Sequence, residues 1–323
     1  MLLISSTVGV LLLLIRVTSV QVMSFLAAAQ TRLTPSGTER AGSLLDMIVS
    51  SRLLGGDREI HVYLPASYRT DLHRRYPALY LHDGQNVFSS SGADTTFGWG
   101  SWELDRIVDE LCRQKKMQEI IMIGVDNSPA RPVEYSGKRH VQGGSSVKTA
   151  FEKYEEFLVR ELKPRMDREY RTLPEGAHTV AMGSSLGGLC SLVLAWDNPD
   201  VFGAAASLSG AFVVFRPNFV DDVLKGYQGP PKPFRVYLDS GVVDSEGGDD
   251  GRSGTEQVVA ELRRIGWAAG DLQWFVDERT LTRLELEKSG LRPEKWEEAL
   301  KCQHNEFYWK RRAWRALTFL FPL

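Results

Sequence analysis

The chain has 323 residues, 43% of them apolar, with 39 basic against 41 acidic side chains. That is the composition of a folded protein with a sizeable core, with no basic excess to suggest nucleic acid and no acidic block to suggest a solvating tail. Cys112, Cys190 and Cys302 form no CxxC or Cys/His ligand spacing, which argues against zinc, a redox pair or a disulfide framework.

In chain order, "LLISSTVGVLLLLI" has the length of a signal-peptide apolar region, and "AAA" at 27–29 offers a small-residue cleavage site. No Lys or Arg precedes the run, so the alternative is a later start at Met23 or Met47. Residues 1–40 are read as this leader and its linker, which make the protein secreted or membrane-anchored, or cytoplasmic if the later start is the true one. "LLDMIVSS" and "REIHVYLP" then read as paired strands joined by a Gly55-Gly56-Asp57 turn. "YPALYLHD", almost wholly apolar, reads as a strand covered on both faces.

"SWELDRIVDELCRQ" has helical spacing, "EIIMIGVD" is the next strand, and "VKTAFEKYEEFLVRELKPRMDREY" is an amphipathic helix that Pro164 should bend or end. Strand "AHTVAM", helix "LGGLCSLVLAW", strands "FGAAASL" and "FRVYLD", helix "TEQVVAELRRIG" and strand "LQWFVD" follow, and "EFYWKRRAWRALTFLF" closes the chain as a helix. A strand pair followed by repeated β-α units predicts one domain over 41–323. Its fold is α/β, a doubly wound, mostly parallel sheet with an antiparallel N-terminal strand pair. Ligands of such sheets bind beyond the carboxyl ends of the strands, which singles out the loops at 83–101, 126–147 and 239–253.

Gly183-Ser184-Ser185-Leu186-Gly187 fits G-x-S-x-G, a weak match alone but one set between an apolar strand and a helix. There Ser185 is a candidate nucleophile at the tip of a tight turn, with glycines on either side making room. A serine needs a base, and the base a carboxylate. Of the six histidines, His304 alone follows the last strand and precedes the last helix, while His82 precedes the serine. For the acid, Asp244 lies just past the strand "FRVYLD", with Asp239 and Glu246 as the next candidates. The N–H groups of Leu186 and of Gln85, in the turn opened by Gly84, are the expected oxyanion donors. Trp99, Trp102, Arg131, Glu134, Tyr135 and Phe212 lie on loops that should rim the cleft, with Arg131 and Glu134 able to pair with each other. The acidic loop lacks calcium-site spacing, so no metal is expected.

"YPALYLHDGQNVF", "RPVEYSG", "ELKPRMDREYRT", "AMGSSLGGLCSL", "VYLDSGVVD" and "HNEFYWKRR" together resemble the Putative esterase family of α/β-hydrolases, the esterase D-like and enterochelin-esterase-like group. The resemblance runs over about residues 45–323. It implies an α/β-hydrolase fold, no cofactor or metal, and a small-molecule ester or thioester substrate, with no nucleic-acid partner. It also implies Ser185 as nucleophile, Asp244 as acid and His304 as base of a serine carboxylesterase that works through an acyl-enzyme. Two other readings stand beside this one: an acyltransferase using the same triad, and a non-catalytic hydrolase-like binding protein. Membrane association would come only through the N-terminal segment.

Overall fold

The computed structural model describes residues 41–138, 147–215, 218–244 and 247–323. The apolar leader, His140 and Glu246 lie outside these residues. Eight strands form one sheet: β1 (Ser43–Ser51), β2 (Gly56–Leu64), β3 (Ala78–His82), β4 (Ile121–Val125), β5 (Thr179–Ser184), β6 (Ala204–Leu208), β7 (Arg235–Ser240) and β8 (Leu272–Val276). Their spatial order is β1-β2-β4-β3-β5-β6-β7-β8. β2 is antiparallel to both β1 and β4, and every other pair is parallel, as the strand pattern predicts.

The all-apolar strands follow from a sheet covered on both faces. In β3, Ala78 and Tyr80 enter one core while Leu79 and Leu81 enter the other. The first core packs under the long helix α2 (150–169), α3 (Leu186–Asp197) and α4 (Arg252–Ile265). The second packs under α1 (Leu104–Arg113) and α5 (Glu306–Leu320). Helix α2 comprises Ala150–Glu156, π-helical turns at Phe157–Leu162 and a last segment at Lys163–Glu169. The helix does not end at Pro164. The ring sits at the start of the last segment, where the wide turns have already shifted the hydrogen-bond register and no donor is missed. Between β8 and α5 an excursion builds a small third core from Leu281, Leu286, Leu291, Ala299, Phe307 and Tyr308, against which Trp99 packs. This excursion delivers the chain to His304, over the carboxyl ends of the strands.

Among the described residues no helix is long and apolar enough to cross a membrane.

Candidate active site

Ser185 sits between β5 and α3 with φ 54° and ψ −122°, backbone angles that cost a non-glycine residue on the order of 1–3 kcal/mol. The surroundings enforce this turn. A Cβ on Gly183 would lie 2.7 Å from the Gly187 carbonyl carbon, so the chain can cross itself here only as glycine. The Ser185 N–H donates to Leu208 (2.9 Å), and its carbonyl accepts from Gly188, Leu189 and Ala211, so the backbone on both sides is anchored. Ser185 and His304 line one cavity of about 300 Å³.

The carboxylate on His304 is Asp250, not Asp244: His304 Nδ1 lies 2.8 Å from Asp250 Oδ1. Asp244 closes a tight turn instead, its N–H donating to Gly248 and its carbonyl accepting from Gly247. Its side chain accepts from Cys302 Sγ at 3.4 Å. That turn folds the glycine-acidic loop back on itself and returns Asp250, in a left-handed conformation (φ 55°), beneath the histidine. The adjacent Asp249 accepts from the Ser253 N–H (2.8 Å) in the first turn of α4, so two neighbouring aspartates have separate partners.

Asp250 is fully buried and all its partners are supplied. Ser209 Oγ donates to its Oδ2 (2.8 Å), the Gly241 N–H donates to the same oxygen, and Arg312 Nη1 lies 3.2 Å away. Ser209 Oγ in turn accepts from Arg312 Nη2 (2.6 Å) and Trp309 Nε1 (2.9 Å). Burial alone would raise the Asp250 carboxyl, but the hydrogen bond to His304 and the charge of Arg312 outweigh it and hold the group below the usual carboxylate range. Arg312 also faces Asp239 (3.1 Å). That strand-end acid, pushed up to about 6 by burial, serves the buried arginine rather than the histidine.

The turn after β3 forms the opposite wall. A Cβ on Gly84 would lie 2.5 Å from the Gly124 carbonyl carbon, so this turn can hug β4 only as glycine. Gln85 is inside that turn and its side chain accepts from the Asn127 N–H (3.2 Å). Among the described residues neither the Gln85 nor the Leu186 N–H meets an acceptor within the protein, which leaves both donors for a ligand.

Of the expected rim, Trp99, Trp102 and Arg131 do line the cavity. Arg131 does not pair with Glu134. Its guanidinium grips Asp83 with both Nε (2.6 Å) and Nη2 (2.7 Å), and Asn127 Nδ2 adds a third bond (2.6 Å). Glu134 is buried and paired with Arg58 at 2.8 and 3.1 Å, behind the wall. Tyr135 is buried too, its hydroxyl accepting from the Asp83 N–H (3.3 Å), and Phe212 belongs to the first core. All three were expected at the rim because loop position was read as exposure, whereas these loops fold inward. The sequence reading missed Asp83, Glu306 and Trp309, which line the cavity. The last two lie on one face of α5, three residues apart, in a helix whose spacing was visible.

His82 lies under the turn, Nδ1 2.9 Å from the Tyr154 hydroxyl. Burial lowers its pKa to about 4, with Asp83 opposing and Arg131 assisting, so it stays neutral near pH 7 and is no counterpart to His304. Away from the cavity, Glu59, His61 and Asp126 bring ligand atoms within 4.8 Å of one another. His61 is already clamped by Asp46 (2.6 Å) and Asp126 (2.9 Å), so an ion would have to displace these bonds.

A mostly parallel eight-stranded sheet with a strained serine at the β5–α3 turn, facing a histidine–aspartate pair, is the α/β-hydrolase fold. Residues 50–317 match the family model described as Putative esterase, and the chain belongs to that family. Solved structures share the fold. A ferulic acid esterase superposes with a TM-score of 0.62 at 17% identity, covering 87% of this chain and 98% of that one. The enterobactin esterase of Shigella flexneri also gives 0.62 at 16% identity, over 88% of this chain and 60% of that one. In sequence, the chain is 29% identical over 162 residues to the uncharacterized protein YjcH of Bacillus subtilis, half of this chain and 59% of that protein. It is 25% identical over 242 residues to an endo-1,4-beta-xylanase/feruloyl esterase of Xylanibacter ruminicola, 72% of this chain and 28% of that protein.

Proposed function

We propose that the chain is a serine carboxylesterase in which Ser185, His304 and Asp250 form the catalytic triad. The carrying observation is the buried Asp250 carboxylate on His304 Nδ1, at the cavity that Ser185 also lines. With Nδ1–H donating a hydrogen bond to Asp250, His304 Nε2 is left as the base. It takes the Ser185 hydroxyl proton as the oxygen attacks the ester carbonyl. The negative oxygen of the tetrahedral intermediate is received by the Leu186 and Gln85 N–H groups, a pair of donors of a kind each worth about 10²–10³ in rate. His304 then gives its proton to the leaving alcohol, and the Ser185 ester is hydrolysed by a water that His304 activates in the same way.

Hydrolysis of p-nitrophenyl acetate tests this reading. Ser185→Ala should lower kcat by about 10⁴-fold or more. A variant that retains more than a tenth of the parent rate would overturn it.

A further inference from the structure

The cavity contains two acids besides the reacting groups, and their surroundings differ. Asp83 is neutralised by the two-pronged grip of Arg131. Glu306 has no such partner: among the described residues no other group donates a hydrogen bond to its carboxyl, and only its own N–H faces it. Lys310, one turn along α5, is engaged by Glu103 at 2.9 Å. With Arg131 committed to Asp83, the wall carries one uncompensated negative charge whenever Glu306 is ionised. Burial, with the charge of Asp83 adding to it, pushes Glu306 up to about 7. Its own N–H, His304 and Arg131 oppose the rise.

Four aromatic side chains share the wall with Asn86, Asn127 and Asn305: Trp102 and Trp309 are buried, Phe97 and Trp99 are not, and Lys295 Nζ lies 4.6 Å from the Trp99 ring. Phe97 is 94% exposed, and it and Thr96 both have left-handed backbones (φ 56° and 51°), a conformation that bulky and β-branched residues avoid. A carboxyl drawn out of water in a cavity that also carries aromatic side chains favours an organic cation, which restores the acid's lost solvation and is attracted to ring faces.

We propose that the alcohol part of the ester substrate carries a cationic group, a quaternary ammonium or protonated amine, held by Glu306 and the aromatic wall. This rests on the esterase reading above. The alcohol side follows from position: Glu306 is two residues from His304, the group that protonates the departing alcohol.

The test compares kcat/KM for acetylcholine and its neutral carbon isostere, 3,3-dimethylbutyl acetate, with p-nitrophenyl acetate as the control for esterase activity. The charged ester should be favoured about tenfold or more at about pH 8. The ratio should shrink toward one at about pH 6, where Glu306 takes up its proton, and pH effects on the catalytic step that both esters share cancel in the ratio. Glu306→Gln should bring the ratio near one at both pH values. The proposal is overturned if p-nitrophenyl acetate is hydrolysed but the charged ester is not preferred or neither choline-type ester is turned over. Persistence of the preference in Glu306→Gln also overturns it. Failure of all three esters counts against the esterase reading itself.

Discussion

At the residue scale the most informative position is Asp250. That Ser185 and His304 line one cavity was legible because each is placed by a local rule, the strand-turn-helix of G-x-S-x-G and the position between the last strand and last helix. The acid has no such rule. The carboxylate on His304 lies ten residues past the end of β7 and is held by Ser209 after β6, by Arg312 on α5 and by the Gly241 N–H. Nearness to the strand end therefore favoured Asp244, and the turn between Asp244 and Gly248 reversed that choice. Asp250→Asn should lower kcat for p-nitrophenyl acetate by about 10³–10⁴-fold through loss of the imidazole's orientation and charge partner. Asp244→Asn should stay within about threefold of the parent. Equal losses in the two variants, or the larger loss at Asp244, would reassign the acid.

At the scale of elements, α5 joins the core to the site. Asn305 caps it, accepting from the Tyr308 N–H (3.2 Å), and so fixes His304 just outside the first turn. From there, residues at intervals of three share a face: Glu306 and Trp309 reach the cavity, and Arg312 reaches the buried acids. The helical pattern was readable in "EFYWKRRAWRALTFLF", but a sequence cannot say which of its arginines turns inward. Arg312 is 2% exposed and is the buried cation shared by Asp239 and Asp250. Arg312→Met should destabilise the fold by about 3–5 kcal/mol in urea unfolding, because removing one member of a buried ionic group strands the rest. A loss under about 1 kcal/mol would show that the acids are neutral or reach water.

At the scale of the whole molecule, topology was the most legible feature. Short all-apolar runs alternating with helical segments point to interior strands of a parallel sheet, and the antiparallel pair at its edge follows from a tight glycine turn. The inward folding of the loops was not legible, since Glu134, Tyr135 and Phe212 are buried by partners distant in sequence. The fold thus presents one strained serine and one supported histidine to a single cavity, while the carboxylate and arginine that sustain them stay in the interior. The most direct test is mass mapping of the protein after reaction with a fluorophosphonate, which modifies only an activated serine. The account predicts one adduct, on Ser185, lost when His304 is changed to Ala. An unlabelled Ser185, or an adduct on Ser184 or any other serine instead, would contradict it.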